Sequence, residues 1–391
     1  MHDRALKIAV VAGEVSGDLL GADLIAALKK RYSGQVDLVG VGGPALQQQG
    51  LRSFFDFSEL SIMGFTAVLA KLPRLIRLIS LTAAQIADAK PDLVLLVDSP
   101  DFTHRVAKKL RQRLPDVPVI KYVCPSVWAW KEYRAQAMLA YVDEVLAVLP
   151  FEPEVMQRLG GPKTHFIGHR LASHAGLLAV RAQRMARKGE GAGAPATLLL
   201  LPGSRSSEIN HLLPVMGEAA EIFASRNGDP RLLLPTVPHQ EELVRMLTKD
   251  WRLKPEIVVG EDGKLRAFAE ADMAWAASGT VILELALASV PTVSVYKADW
   301  IVRLISSRIK VWTGALPNLI ADYVVIPEYF NEVVRPGSLV RWAERLRADT
   351  EQRAAMLAGF ADVHDKMATP EPAGDAGAEI VLDVLRRKGR I

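Results

Sequence analysis

Short, almost continuously apolar runs recur along the first half of the chain, each followed by a stretch with helical spacing. They are KIAVVAG (7–13), VDLVGVGG (36–43), DLVLLVD (92–98), VPVIKYV (117–123) and EVLAVLP (144–150). Strands that are apolar on both faces and alternate with helices predict a parallel sheet covered on both sides. The pattern stops near Arg170 and is interrupted by RKGEGAGAPA (187–196), which has the Gly, Ala, Pro and charge content of a linker. It restarts with TLLLLPGS (197–204), RLLLPT (231–236), EIVVG (256–260), DMAWAAS (272–278) and PTVSVYK (291–297). Two successive α/β halves, each with its own parallel sheet, account for this order. The expected division is a first domain over 1–170, a linker region over 171–196, a second domain over 197–345 and C-terminal helices over 346–391. Packing of those helices back on the first domain is one arrangement the sequence leaves open. Ligands of such sheets bind beyond the carboxyl ends of the strands, so with two domains the cleft between them is the expected site.

At 391 residues the chain exceeds the size at which one core stops growing. A hydrophobic content of 50% with 24% charged residues excludes a disordered or fibrous chain. The formal net charge of +4 favours anionic ligands without choosing among phosphates, nucleic acid and acidic headgroups. No run reaches the roughly eighteen apolar residues of a membrane span, and Ile8 to Ala12 is too short for a signal-peptide core. The expectation is a cytoplasmic protein. The single cysteine, Cys124, excludes an intramolecular disulfide and a Cys-cluster metal site.

Several strand ends carry candidate chemistry. PGSRSSEI (202–209) offers Gly203 for close backbone approach, hydroxyls on Ser204 and Ser206 at a helix start, and the permanent charge of Arg205. A helix N-terminus beside an arginine suits a phosphate; read alone, the stretch is a helix cap with a solvated arginine sooner than a phosphate site. WAASGTVILELAL (275–287) ends a strand in Ser278-Gly279-Thr280 and opens a helix, with Glu284 one turn on, where it can accept hydrogen bonds from a ribose diol. Two phosphate-suited loops in one half point to a nucleotide diphosphate, and neither is a P-loop.

In the first half, VAGEVSGDLLGADL places Gly13, Gly17 and Gly21 at a spacing of four, unlike a dinucleotide fingerprint. Glu14 and Asp18 would repel a pyrophosphate. With Ser16 they are candidates for sugar hydroxyls, the competing reading being acids that cap a helix. LLVDSPDF (95–102) sets Asp98 at the carboxyl end of a buried strand, where a carboxylate can act as general base towards a hydroxyl. Asp101 is a second candidate, and an Asx-turn before Pro100 the competing account. In CPSVWAWKEYR (124–134) one of Trp128 and Trp130 belongs to the core, and the other can be a carbohydrate or acyl platform. SIMGFTAVLAKLPRLIRLI (61–79) sets Met63, Phe65, Val68, Leu69, Leu72 and Leu75 among Lys71, Arg74 and Arg77. Such a surface can sit on an anionic membrane or hold acyl chains, although core burial of an amphipathic helix gives the same pattern.

Taken in order, AGEVSGDLLGADL, SIMGF, DSPDF, PSVWAW, FIGH, LLPGSR, ASGT with Glu284, and LPNLIAD resemble the lipid-A-disaccharide synthases, bacterial glycosyltransferases that join two acylated glucosamines. The likeness runs from near Lys7 to near Pro336. It implies a GT-B fold, two Rossmann-like domains with parallel sheets facing a central cleft, the C-terminal one holding UDP. The implied substrates are UDP-2,3-diacylglucosamine and 2,3-diacylglucosamine 1-phosphate (lipid X), and the products UDP and a β(1→6) disaccharide 1-phosphate, formed with inversion. Carried over by position, Asp98 is the base and Arg205 stabilises departing UDP, while Gly203, Ser204, Ser278, Gly279, Thr280, Glu284, Asn318 and Asn331 surround the nucleotide and donor. No cofactor or metal is implied, and no nucleic acid. The implied location is the cytoplasmic face of the inner membrane, peripherally, with a homodimer left open. This chain departs from the family in having Asn331 where Gln is usual, Arg170 where Pro is usual and Ser173 where Asp is usual. Three other readings share parts of the pattern: a UDP-N-acetylglucosamine 2-epimerase, the peptidoglycan GlcNAc transferase, and a two-lobed solute-binding protein.

Overall fold

The computed structural model describes residues 4–60, 72–186, 195–297 and 310–391. Two compact units emerge: Met1–Arg170 together with Thr369–Ile391, and Leu171–Ala368.

In the first unit the apolar runs become β1 (Leu6–Ala12), β2 (Val36–Val41), β4 (Leu93–Val97), β5 (Val119–Tyr122) and β6 (Glu144–Ala147), joined by the short edges β3 (Arg52–Ser53) and β7 (Lys163–Phe166). All pair in parallel, in the order β3-β2-β1-β4-β5-β6-β7. Every side chain of β4 is at most 1% exposed, as a strand covered on both faces requires, and burial of each aliphatic residue contributes about 1.5–3 kcal/mol. The strand order reverses between β1 and β4, where Ala12 pairs with Val97. The loops that follow these two strands therefore emerge side by side at the switch point of the sheet, where open α/β sheets hold their ligands.

The last helix, Ala373–Arg387, lies against the first, Val15–Arg31. Small residues allow the approach: a Cβ on Gly374 would come within 2.5 Å of Asp23 Oδ2, and one on Gly377 within 2.9 Å of Leu24 Cδ1. Arg31 bridges to Glu371, Asp375 and Glu379 at 2.7, 3.1 and 2.7 Å.

The second unit contains β8 (Thr197–Leu201), β9 (Arg231–Thr236), β10 (Glu256–Val259), β11 (Met273–Ala277), β12 (Thr292–Tyr296) and β13 (Glu328–Phe330), parallel in the order β10-β9-β8-β11-β12-β13. Its switch point lies between β8 and β11, where Leu201 pairs with Ala276. Within 171–196, read above as a linker, Ala175–Ala186 forms a helix of this unit, buried at Leu177 and Val180. The helices after residue 345 divide: Glu351–Met367 stays with the second unit, and Ala373–Arg387 joins the first. Among the described residues no helix is long and apolar enough to cross a membrane.

Candidate active site

At the first switch point the chain leaves β4 through two consecutive left-handed residues, Asp98 (φ 50°) and Ser99 (φ 40°), before Pro100 opens the helix Pro100–Arg113. Non-glycine residues tolerate this region poorly, and Asp better than most. The turn is held from several sides. Asp98 Oδ1 accepts the amide of Ser99 at 2.8 Å, and Oδ2 accepts the Ser16 hydroxyl at 3.2 Å. The Ser99 hydroxyl donates to Glu14 at 3.2 Å. Gly13 and Gly17 are explained by this turn: a Cβ on Gly13 would stand 2.5 Å from Ser99 Cβ and Oγ, and one on Gly17 3.2 Å from Asp98 Cβ. Glu14, Ser16 and Asp98 are thus gathered around one turn, with Glu14 and Ser16 exposed.

Beneath it lies a residue that sequence reasoning missed. Lys121, in β5, is 0% exposed and donates to the carbonyl oxygen of Asp98 and, at 3.3 Å, to Thr103 Oγ1. Burial pushes its pKa down to about 8, opposed by the nearby charges of Asp98, Cys124 and Glu14. The signal was present, since Lys121 is the one charged residue inside the apolar run VPVIKYV.

Asp18 requires a correction. It is 2% exposed, and its carboxylate accepts the amides of Gly43 (2.7 Å), Ala45 (2.9 Å) and Leu46 (3.2 Å), capping the short helix Pro44–Gln48. It is committed to the fold and not offered to a sugar. Asp101, the second candidate base, lies in the first turn of its helix, 84% exposed at its side chain and 3.5 Å from Arg134. Trp128 is fixed by its Nε1 donating to Glu152 at 3.2 Å, a carboxylate that burial raises to about 7. Trp130 is 37% exposed with the Lys131 ammonium 3.9 Å over its ring. Met63, Phe65, Val68 and Leu69 lie outside the described residues. Of the rest of that stretch, Leu72 and Ile76 are exposed, Leu75 is half-buried, and Arg74 pairs with Glu59.

In the second unit the two expected anion loops, 203–205 and 278–280, follow the adjacent strands β8 and β11. They differ in what occupies them. At the first, Glu208 folds back and accepts the amides of Ser204 (3.1 Å) and Arg205 (3.3 Å) while pairing with the Arg205 guanidinium at 3.0 Å. These amides are therefore satisfied internally, which corrects their reading as free phosphate donors. Gly203, at φ 111°, admits that carboxylate, since a Cβ there would lie 2.3 Å from Glu208 Oε2. The arginine side chain remains 72% exposed, and an exposed ion pair of this kind constrains it weakly. At the second loop, Gly279 and Thr280 are exposed at the start of the helix Thr280–Leu287, with no side-chain cap and open space where a Cβ on Gly279 would stand. This terminus keeps the open amides and helix dipole that suit an anion.

Glu284 is 15% exposed and bonds Lys264 Nζ at 2.8 Å. Lys264 also meets Glu261 at 3.0 Å, and despite burial its pKa is raised by these two carboxylates, Glu284 foremost. Asn318 is corrected to a structural role. At 1% exposure, its amide donates to Thr313 Oγ1 (3.1 Å) and the Ile326 carbonyl (3.0 Å), and its oxygen accepts the amides of Val325 and Ile326, both at 2.8 Å. Through Thr313 and Glu328, which accepts the Gly314 amide at 3.1 Å, it braces the loop whose Gly314 carbonyl takes the Ser278 hydroxyl at 3.5 Å. Asn331 follows β13 in the left-handed region, φ 52°. Among the described residues no group of three His, Cys, Asp or Glu side chains is placed to hold a metal ion.

The model of the family "Lipid-A-disaccharide synthetase" matches residues 8–366. The lipid-A-disaccharide synthase of Rhodopseudomonas palustris (strain HaA2) is 46% identical over 384 residues, covering 97% of each chain. That of Bradyrhizobium diazoefficiens is 42% identical over 391 residues, 100% of this chain and 99% of the relative. Among solved structures, Acinetobacter baumannii MurG aligns with a TM-score of 0.56 at 14% identity, over 98% of this chain and 100% of its own. The UDP-GlcNAc 2-epimerase of Neisseria meningitidis, bound to UDP-GlcNAc, aligns with a TM-score of 0.55 at 12% identity, over 98% and 100%. These structural likenesses are of fold, and the fold is that of GT-B glycosyltransferases.

Proposed function

The chain belongs to the lipid-A-disaccharide synthase family, and on that premise we propose the part each unit plays in joining UDP-2,3-diacylglucosamine to 2,3-diacylglucosamine 1-phosphate. It is a glycosyltransferase of lipid A disaccharide synthesis. Identity above 40% along the whole length separates this reading from the epimerase and MurG, which share only the fold.

The observation that carries the reading is the turn after β4. Asp98 is oriented through Ser16 and the Ser99 amide, so that its carboxylate can take the proton of the acceptor 6-hydroxyl as that oxygen attacks the anomeric carbon. The α-linked donor gives a β-linked product, so the displacement is single and inverting, with one base on the attacking side. In the second unit the open terminus at Ser278, Gly279 and Thr280 binds the diphosphate, and Glu284, held by Lys264, accepts the ribose hydroxyls. Arg205 turns from Glu208 to the diphosphate as negative charge builds on departing UDP. Positioned donors supply the stabilisation. Gly203 and Ser204 shape this loop, and Asn318 acts by bracing the Ser278 side.

The acyl chains of both substrates place the enzyme at the cytoplasmic face of the inner membrane. Exposed Leu72 and Ile76, beside Arg77, supply a peripheral contact of the kind that apolar residues flanked by cations make. Replacing both by Ser lowers sedimentation with anionic vesicles without loss of folding; unchanged sedimentation removes this contact from the proposal. For the reaction itself, the protein incubated with both acylated substrates yields UDP and disaccharide 1-phosphate. Asp98→Asn abolishes turnover and leaves UDP affinity intact; equal loss of both contradicts the role given to Asp98.

A further inference from the structure

One cavity in the first unit, of about 360 Å³, takes no part in the site so far. It opens where Pro100 and Asp101 start their helix and continues along His104, Arg105 and Lys108 to Arg134. Three fixed cations thus face one carboxylate, and that carboxylate is already 3.5 Å from Arg134. His104 is 8% exposed; its Nδ1 meets the Tyr141 hydroxyl at 3.0 Å, and its Nε2 has no hydrogen-bond partner. Burial, together with the charges of Lys121, Arg134 and Lys108, holds the imidazole neutral, with its pKa pushed down to about 3. Among the residues lining the cavity, Asp101 is the one carboxylate set against Arg105, Lys108 and Arg134. A concave, cationic site with a spare imidazole nitrogen is built for a compact anion, and above all for a phosphate monoester.

We propose that this cavity binds the 1-phosphate of the acceptor sugar, with Arg105, Lys108 and Arg134 as its ligands. The proposal rests on the reading of Asp98 as the base. Asp98 and the cavity share one turn of chain, since Pro100 and Asp101 line the cavity immediately after it. Helical side chains lean towards the N-terminus of their helix, so Arg105 and Lys108 lean towards Asp98. One hexose can then present its 6-hydroxyl to the carboxylate and its anomeric phosphate to the cations. Held at both ends, the acceptor is fixed in the orientation that makes the 6-hydroxyl the nucleophile.

The test compares wild type with the double variant Arg105→Gln, Lys108→Gln, both positions being exposed. Two acceptors are used: 2,3-diacylglucosamine 1-phosphate and the same sugar without phosphate. Loss of two charge-assisted contacts raises KM for the phosphorylated acceptor about tenfold or more. KM for the donor and for the dephosphorylated acceptor stays unchanged. An unchanged KM for the phosphorylated acceptor, or an equal rise for both acceptors, overturns the proposal. Titration calorimetry with glucosamine 1-phosphate reads the site without turnover and is expected to show binding that the double variant loses. Calorimetric binding by a wild type that makes no disaccharide would sink the proposed reaction and keep the anion site. Loss of binding to phosphatidylglycerol vesicles with KM unaltered would assign the cavity to membrane headgroups and refute its role in acceptor binding.

Discussion

Replacing Lys121 by Met tests whether a buried charge is tolerated for the sake of the turn above it. The lysine is 0% exposed, and the fall of its pKa from 10.5 to about 8 corresponds to a penalty of about 3 kcal/mol for keeping it charged at neutral pH. Against this stand its bonds to the Asp98 carbonyl and Thr103 Oγ1, each worth about 1.5–3 kcal/mol for a charged donor. The bonds offset the penalty, so Lys121→Met unfolds in urea at pH 7 within ~3 kcal/mol of wild type. Their pH dependence does not cancel. Between about pH 8 and 10.5 the unfolded lysine is protonated while the folded one is neutral. The unfolded state binds more protons there, and stability rises with pH. The penalty is fully present below pH 8 and is relieved as pH climbs to 10.5, so wild type gains about 3 kcal/mol on the variant across that window. Turnover responds differently. Asp98 and Ser99 occupy strained conformations costing about 1–3 kcal/mol each, and without the lysine the turn relaxes, lowering kcat tenfold or more while UDP affinity holds. A stability difference that stays flat from pH 7 to 10.5, or full kcat in the variant, would refute the reasoning.

Three further expectations follow from the same geometry. Gly13→Ala drives a methyl to 2.5 Å from Ser99, so kcat falls strongly with little change in UDP affinity; a wild-type rate would show that the turn's position is immaterial. Glu284→Ala weakens UDP about tenfold by calorimetry but leaves 2′,3′-dideoxy-UDP unaffected, because the lost contact is with the ribose diol; equal weakening of both nucleotides would contradict it. Deleting Thr369–Ile391 strips Val381, Leu382, Val384 and Leu385, all at most 2% exposed, from the first unit. At about 1.5–3 kcal/mol each this equals a whole domain's stability of roughly 5–15 kcal/mol, and circular dichroism and limited proteolysis should find the first unit unfolded and the second intact.

The strands were legible because an α/β sheet buried on both faces writes itself as uninterrupted Val, Leu and Ile, as in DLVLLVD and TLLLLPG. What periodicity lacks is pairing. That β1 lies beside β4, and β8 beside β11, brings Gly13 to Ser99 and Gly17 to Asp98 and sets the loops after β8 and β11 on adjacent strands, and no local pattern records such neighbours. Polar residues within motifs were legible by type and ambiguous by destination. Asp18 and Asn318 carry the chemistry of a binding site, yet backbone amides and carbonyls of distant loops consume it. Glu208, three residues beyond Arg205, was readable as a helix-capping acid, and the consequence for the Ser204 and Arg205 amides appears only in three dimensions. The cavity around His104 has no linear signature, because Arg134 arrives from a different helix.

The first unit is made from both ends of the chain, with about two hundred residues of the second inserted between them. Its sheet strands are all synthesised early, but the helix that covers Leu24 arrives last. At a translation rate of about 5–20 residues per second, that apolar face waits roughly 10–40 s for its cover while the second unit is made. The second unit's chain is thus made before the last helix of the first. A ribosome that stalls just short of Thr369 thus leaves a chain that has every residue of the second unit and lacks the last helix of the first.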